Sequence, residues 1–448
     1  MLQFGTDGIR GHAETELPRE LVESLARATV RVTGATRVLV ARDTRESGPR
    51  IAADLARGFA AEGAVTESAG VLPTPGLAML SRVRDEWAAM ISASHNPWND
   101  NGVKFFAPGG TKLSDEHQAA IESELRSHPS PPPTPGVNRP RRSRSIGAPE
   151  LYEDYLRQQV TPGVLRGLRV VLDCGHGAAY VVAPSVFRSE AAVVHALHVE
   201  PNGRNINDDC GSTFPQRLQA VVVADGADLG FAFDGDADRV IAVDAGGDIV
   251  DGDQIMAIMA LWMRERGELS NDAVVISVMS NLGLRIALAE HAIDVVETPV
   301  GDRHVVAAMA THGLALGGEQ SGHIIFGARA GTGDGTLTAL LLAERVATSG
   351  RSLAELASVM TRLPQVLVNV RLPGRPDLTR APAIDRAIAT VRNELGQTGR
   401  VLVRPSGTEP IVRIMVEAKS KAQATAGADL IADALRASFG GRDMTSET

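Results

Sequence analysis

Cysteine is nearly absent: the 448 residues hold two, Cys174 and Cys210, and neither has a Cys-x-x-Cys partner. That suits a reducing cytoplasm, where both are expected to be plain thiols near strand ends. Aromatic residues make up only 4% of the chain, so its cores must be aliphatic, built from Ala, Val and Leu. No apolar run approaches the length of a membrane span. The opening "MLQFGTDGIRG" carries charge at once and has no apolar h-region, which argues against a signal peptide. An excess of Lys and Arg is missing too. The net charge of −9 argues against non-specific nucleic-acid binding. It leaves room for an anionic small substrate in a locally basic cleft. A soluble, cytoplasmic protein is the expectation.

What is present is a chain too long for one ordinary core, with 44% hydrophobic and 22% charged residues. Short aliphatic strands alternate with helical stretches. "TRVLVARDT", "GLRVVLDCGHG" and "AVVISVMSN" read as strands running into loops, and Pro49 to Glu62 as a helix. Repeated strand–helix units predict parallel or mixed sheets covered by helices. The Pro-rich basic stretch from Ser127 to Ser145 reads as a surface loop or linker. Further breaks fall near "DAGGDIVDGDQ", before a helix from Ile255 to Arg266, and near "TRLPQ". The expected fold is therefore three successive mixed-sheet α/β domains, 1–147, 148–249 and 250–364, and a smaller C-terminal α+β domain, 365–448, around a central cleft.

Four segments carry chemistry. In "MISASHNPWNDNGVKFF" an apolar strand gives way to turn residues, placing Ser92, Ser94, His95 and Asn96 at a strand's carboxyl end. Ser94 lacks the flanking glycines of a nucleophile elbow, and in an extended segment His95 would point away from it. A nucleophilic Ser94 would need other activation. In "LGFAFDGDADRVIAVD" Asp234, Asp236 and Asp238 follow an apolar strand, and on extended backbone they would project to one side. Three such carboxylates repel one another unless a hard divalent cation such as Mg²⁺ sits among them. An EF-hand is excluded, because Arg239 stands where its glycine belongs. A D-x-D phosphatase loop, with Asp234 as nucleophile, is the rival. In "LVRPSGTEP" Arg404, Ser406, Gly407 and Thr408 combine a guanidinium, hydroxyls and a turn glycine, which is what a phosphate needs. "GGEQSGHIIF" offers Glu319, Ser321 and His323 at alternate positions, expected on one face of an extended loop where they could read sugar hydroxyls. The glycine-rich "DCGHGAAY" and "GARAGTGDGT" fit neither a dinucleotide fingerprint nor a P-loop.

"FGTDGIRG", "SASHNPWNDNGVKFF", "DGDADR", "GEQSGH" and "RPSGTEP", in this order, resemble the α-D-phosphohexomutase superfamily. "FGTDGIRG", "GEQSGHII" and "VGDRHV" are similar to its phosphoglucosamine mutase branch rather than its phosphoglucomutase and phosphomannomutase branches. The resemblance implies an isomerase interconverting glucosamine 6-phosphate and glucosamine 1-phosphate, feeding UDP-N-acetylglucosamine and cell-wall precursor synthesis. It implies a phosphoserine at Ser94, one Mg²⁺ held by Asp234, Asp236, Asp238 and a phosphoryl oxygen on that serine, and a glucosamine 1,6-bisphosphate intermediate. With that carrier in place, the rival phosphatase reading would leave Ser94 and the C-terminal loop without a task. By matched position, Arg10 and Lys104 would assist proton transfer or stabilise charge beside the phosphoserine, and Arg239 would orient the reacting groups. His323 would contact the reacting region, and Glu319 and Ser321 the sugar hydroxyls. Arg404, Ser406, Gly407 and Thr408, with Arg413, would clamp the distal phosphate, and Arg303 would bear on branch preference. A sugar phosphate is the implied partner, with neither nucleic acid nor membrane; a homodimer is compatible.

Overall fold

The computed structural model describes residues 4–5, 8–128, 147–373, 381–405 and 410–440, and the backbone of 442–443. Most of the Pro-rich basic stretch lies outside these residues; its first member, Ser127, ends a helix. Four sheets follow one another along the chain.

The first is built from β1 (Ile9–His12), β2 (Arg37–Arg42), β3 (Val65–Val71), β4 (Trp87–Ile91), β5 (Asp100–Ala107) and β6 (Thr111–Lys112). Its order is β1-β5-β4-β2-β3, with β6 on β5. Strands β2, β3 and β4 run parallel, while β5 is antiparallel to β1 and β4. The second holds β7 (Arg169–Asp173), β8 (Val193–Leu197), β9 (Leu229–Phe233), β10 (Val240–Asp244) and β11 (Ile249–Val250), ordered β11-β10-β9-β7-β8. The third holds β12 (Ala273–Ser277), β13 (Asp294–Thr298), β14 (Leu316–Gly318) and β15 (Ile324–Phe326), ordered β13-β12-β14-β15. All three are mixed, as the alternation of strands and helices predicts.

The interior strands read as unbroken apolar runs because both faces are covered. Every residue of β9, β10 and β12 is buried. In the first sheet Val40 and Ile91 pack with Leu25, Ile51, Leu55 and Phe59. Burying each large aliphatic or Phe side chain is worth about 1.5–3 kcal/mol. The helix expected from Ile255 starts three residues sooner, at Gly252, because Asp251 and Gln254 form a reciprocal capping box.

The fourth sheet, β16 (Gln365–Arg371), β17 (Arg400–Pro405), β18 (Ile411–Glu417) and β19 (Arg442–Asp443), is wholly antiparallel in the order β17-β18-β16-β19. Helices Pro382–Leu395 and Lys421–Phe439 supply Val391, Ile431 and Leu435 to its core.

Contacts gather the chain into two compact units. One comprises Met1–Met279 and His291–Val359; the other comprises Ser280–Glu290 and Met360–Thr448. The short segment Ser280–Glu290 belongs to the C-terminal unit through specific bonds. Asn281 Nδ2 donates to the Leu363 carbonyl at 3.0 Å, and the Leu363 N–H returns a bond to Asn281 Oδ1 at 3.0 Å. The Leu282 N–H donates to the buried Glu417 carboxylate, 3.3 Å to its nearer oxygen. Arg400 Nη2 donates to the Ser280 carbonyl at 2.8 Å.

Candidate active site

Ser94 lies just past the carboxyl end of β4, and the loop carrying it is held by backbone carbonyls. Arg45, wholly buried, donates from Nη2 to the carbonyls of Ser94 (2.9 Å) and Asn96 (2.8 Å), and from Nη1 to those of Asp100 (3.0 Å) and Pro97. Its Nε is held by Asp43 at 2.9 Å, and Asp43 also accepts from the Ser92 hydroxyl at 2.7 Å. Asn207 reaches over from the second sheet's side, Nδ2 donating to the Ser94 carbonyl at 2.9 Å. Ser94 itself sits at φ +52°, left-handed backbone that a serine rarely adopts and that these bonds impose.

That conformation corrects one expectation. The segment is not extended, so His95 does not point away: its Nδ1 lies 3.4 Å from Ser94 Oγ and accepts from Arg239 Nη1 at 3.3 Å. Burial, then the charges of Arg239 and Arg10, push His95 down to about 4 and keep it neutral.

The three aspartates also meet differently from the expectation. They do not ride on extended backbone. The chain turns tightly after β9, with the Ala237 N–H closing on the Asp234 carbonyl at 3.0 Å and Ala237 at φ +55°. The turn still gathers Asp234, Asp236 and Asp238, all buried, so that one oxygen of each lies within 4.8 Å of the others. Ser94 Oγ donates to Asp234 Oδ2 at 2.5 Å. Thr74 and Lys104 Nζ donate to Asp236 Oδ2 at 2.6 and 2.8 Å, and Lys104 reaches Asp238 at 3.3 Å.

This electrostatic arrangement is unbalanced in a way that suits a cation. Burial, followed by repulsion from Asp238 and Asp236, pushes Asp234 up to about 8. Burial opposes ionisation of the other two as well, yet Lys104 holds Asp236 low, and Lys104 with His323 holds Asp238 well below the usual carboxylate range. Burial would likewise depress Lys104, but Asp236 and Asp238 keep it above its ordinary value. Asp236 Oδ1 and Asp238 Oδ1 are buried and accept no hydrogen bond, the latter having only the longer ion-pair contacts of His323 and Arg239, although leaving a buried carboxylate oxygen without a hydrogen bond is costly. An all-oxygen donor set with two unsatisfied buried oxygens fits a hard divalent ion of the Mg²⁺ class.

His323 is buried beside this cluster. The Gly333 N–H donates to its Nε2 at 3.0 Å, which fixes the proton on Nδ1, 3.6 Å from Asp238. Burial lowers its pKa, and Asp238 outweighs that and raises it. Glu319 accepts the Gly301 N–H at 3.0 Å, and its charge acts on Arg239. The expected alternation of Glu319, Ser321 and His323 on one extended face is not found. Residues 319–322 form a tight turn between β14 and β15, leaving Ser321 exposed and His323 buried. Arg10, on β1, acts through its charge on both His95 and Lys104. Arg303 pairs instead with Asp115, at 2.8 Å.

In the C-terminal unit Arg404 and Arg413 stand directly opposite on β17 and β18. Like charges so paired are unfavourable unless an anion joins them. Ser406, Gly407 and Thr408 lie outside the described residues.

Comparison with known proteins agrees with this geometry. Residues 1–131, 150–247 and 251–363 match the families described as phosphoglucomutase/phosphomannomutase alpha/beta/alpha domains I, II and III, and 367–434 match the C-terminal domain of the same group. A phosphoglucosamine mutase of Saccharopolyspora erythraea is 51% identical over 96% of this chain and 98% of its own length. One from Frankia alni is 50% identical over 97% and 98%. The chain belongs to the phosphoglucosamine mutases of the phosphohexomutase superfamily. It is thus an isomerase. A phosphoglucomutase/phosphomannomutase family protein from Burkholderia thailandensis shares the fold at a TM-score of 0.80 and 24% identity, over 98% of each chain. So does an Aspergillus fumigatus N-acetylphosphoglucosamine mutase solved with GlcNAc-6P and magnesium, at 0.68 and 19%, over 98% and 96%.

Sequence reasoning about this phosphohexomutase missed Arg45, Asn207, Thr74 and the ion pair of Lys112 with Asp302. Burial opposes ionisation of Asp302, but Lys112 and then His323 hold it down at about 2. The only available signal was the charge pair in "ARDTRE" directly after a strand.

Proposed function

We propose that the chain interconverts glucosamine 6-phosphate and α-D-glucosamine 1-phosphate by way of a phosphoryl group carried on Ser94. The observation that carries this reading is the 2.5 Å contact between Ser94 Oγ and Asp234 inside a buried carboxylate cluster. A hydrolytic serine needs a base. A phosphoryl carrier needs charge compensation, and the buried charges of Lys104 and the three aspartates, with Arg239 beside them, support that reading.

Asp234, Asp236, Asp238 and a phosphoryl oxygen on Ser94 would hold Mg²⁺. When bound, the ion neutralises phosphoryl oxygens that would otherwise face carboxylates. The remaining work falls to the chain's own residues. A sugar hydroxyl attacks phosphorus as the Oγ–P bond of Ser94 breaks, and the proton it gives up ends on Ser94 Oγ, which leaves as the free hydroxyl. The resulting 1,6-bisphosphate reorients, and its other phosphate returns to Ser94. Lys104, kept charged by Asp236 and Asp238, stabilises negative charge on the moving group and on Oγ and does not act as a base. Arg10 and Arg239 add positive charge around His95 and the phosphoryl position. Glu319, Ser321 and His323 contact the sugar, and the loop from Arg404 to Thr408, with Arg413, clamps the phosphate that is not reacting. We place the domain limits at 147/148, 249/250 and 364/365.

The test is a coupled assay on glucosamine 1-phosphate and glucose 1-phosphate, with intact mass and peptide mapping of active material. One phosphate on Ser94 and preference for the amino sugar are expected, and Ser94→Ala should fold and lose turnover. Active protein wholly unphosphorylated at Ser94 would overturn the scheme. Preference for glucose 1-phosphate would place the chain's substrate with the phosphoglucomutases.

A further inference from the structure

A second cluster of metal-ligating groups lies behind the Ser94 loop and takes no part in the chemistry above. Asp173 ends β7, His198 directly follows β8, and Cys210 sits in the loop that also carries Asn207. One donor atom from each lies within 4.8 Å of the others. Asp173 and Cys210 are fully buried, and the His198 side chain is 25% exposed, leaving a way in from solvent. Asp173 Oδ1 accepts from His198 Nδ1 at 2.9 Å and from the Gly175 N–H at 2.9 Å, while Oδ2 accepts from the Gly211 N–H at 3.1 Å. The carboxylate is thereby fixed in place. The His176 ring meets the His198 ring edge-on, centroids 5.2 Å apart, and limits its rotation.

From this geometry we infer that Asp173, His198 and Cys210 form a binding site for a zinc-class divalent ion. Carboxylate, imidazole and thiolate together select such an ion over Mg²⁺, because a thiolate is a soft donor. Two anionic ligands balance its charge. Tetrahedral zinc places donors roughly 3.3–3.7 Å apart, so the three need only small adjustments. On binding, the Nδ1 proton of His198 moves to Nε2, the Cys210 thiol loses its proton to solvent and the S–metal bond forms. Burial and the nearby carboxylates of Asp173, Asp208 and Asp209 push the free thiol up to about 12. A bound ion would tie together the loops after β7 and β8 and the loop holding Asn207, whose side chain bonds the Ser94 carbonyl.

The experiment uses the full chain, stripped with chelator and kept in excess Mg²⁺ so that the aspartate cluster is occupied, then titrated with Co²⁺. One equivalent should give a near-ultraviolet thiolate-to-cobalt band that Zn²⁺ abolishes. Cys210→Ser should remove the band, and His198→Ala, at a partly exposed position, should weaken binding at least tenfold while circular dichroism stays unchanged. Cys174→Ser should keep the band. No band in the wild-type chain overturns the proposal, as does a band that survives Cys210→Ser, follows Cys174, or is undiminished in His198→Ala.

Discussion

Replacing Gly235 by alanine probes the seam between the two halves of the active site. Gly235 lies between Asp234 and Asp236, and its backbone is not left-handed, so conformation alone does not require glycine there. Space does. A Cβ at this position would lie 2.5 Å from the Ser94 carbonyl oxygen, 2.8 Å from Ile206 Cδ1 and 3.0 Å from Asn207 Nδ2. Ordinary contact begins at 3.4 Å, so the Ser94 backbone must retreat by about 0.9 Å, or the aspartate turn must yield by as much. Retreat on the far side is blocked too, since the Gly235 carbonyl accepts from the Ala178 N–H at 2.8 Å. Overpacking of this kind costs about 1–3 kcal/mol, which the large aliphatic cores can absorb. Catalysis is more sensitive: a displacement near 1 Å between carrier and charge-compensating groups lowers turnover by about 10²-fold. The assay is kcat from the coupled reaction, with Mg²⁺ dependence and a thermal melt on the same preparation. A folded Gly235→Ala protein with wild-type kcat and Mg²⁺ requirement would refute the claim that Ser94 and the aspartates are held in register through backbone contact at Gly235.

Three further perturbations follow. Asp236→Asn removes one of the three charges for the cation and one of the two carboxylates that pair with Lys104; Mg²⁺ affinity and kcat should both fall at least tenfold, and isothermal titration that finds unchanged affinity would count against the site. Buried Asp334, which caps the helix Gly335–Ser349 and accepts from Tyr152, is raised by burial to about 6. Its folded pKa exceeds its unfolded one, so its contribution to stability is present in acid and is lost as pH rises from about 4 through 6, by about 3 kcal/mol. Asp334→Asn keeps a capping side chain and should melt higher than wild type at pH 7 but not near pH 4; parallel melts at the two values decide. Arg404→Ala, which removes one of two facing guanidiniums, should weaken substrate binding roughly tenfold to a hundredfold while leaving Ser94 phosphorylation intact, with labelled bisphosphate release rising in the same assay.

What the sequence disclosed was composition at the site, and what it withheld was direction. Ser94 and the three aspartates announce themselves because strands of unbroken apolar residues end beside them, and the strand read before Ser94 is β4 as found. Their approach depends on left-handed Ser94 and Ala237, which no side-chain pattern marks, so an extended reading misjudged both the aspartates and His95. Arg45 was easy to overlook for a related reason. Besides Asp43, its partners are four main-chain carbonyls, groups that every residue possesses, and an arginine after a strand is ordinarily a surface residue. His323 and Ser321 diverged because the turn joining β14 and β15 begins at Glu319, the first residue of the expected alternation.

The bonds from Ser280–Glu290 to the C-terminal unit have a consequence for the order in which the protein can be made. On a ribosome, Leu282 emerges 135 residues before Glu417, the buried acid that receives its N–H. Until β18 is synthesised, the Leu282 N–H lacks the carboxylate that receives it, and the nascent third sheet must close around a segment whose partners lie in the C-terminal unit. The reverse holds for a fragment starting at Met360. It would leave Glu417 without the Leu282 N–H and Arg400 without the Ser280 carbonyl. Separate production of the C-terminal unit therefore calls for grafting residues 280–290 onto the fragment, joined by a linker, rather than for a single cut in the chain.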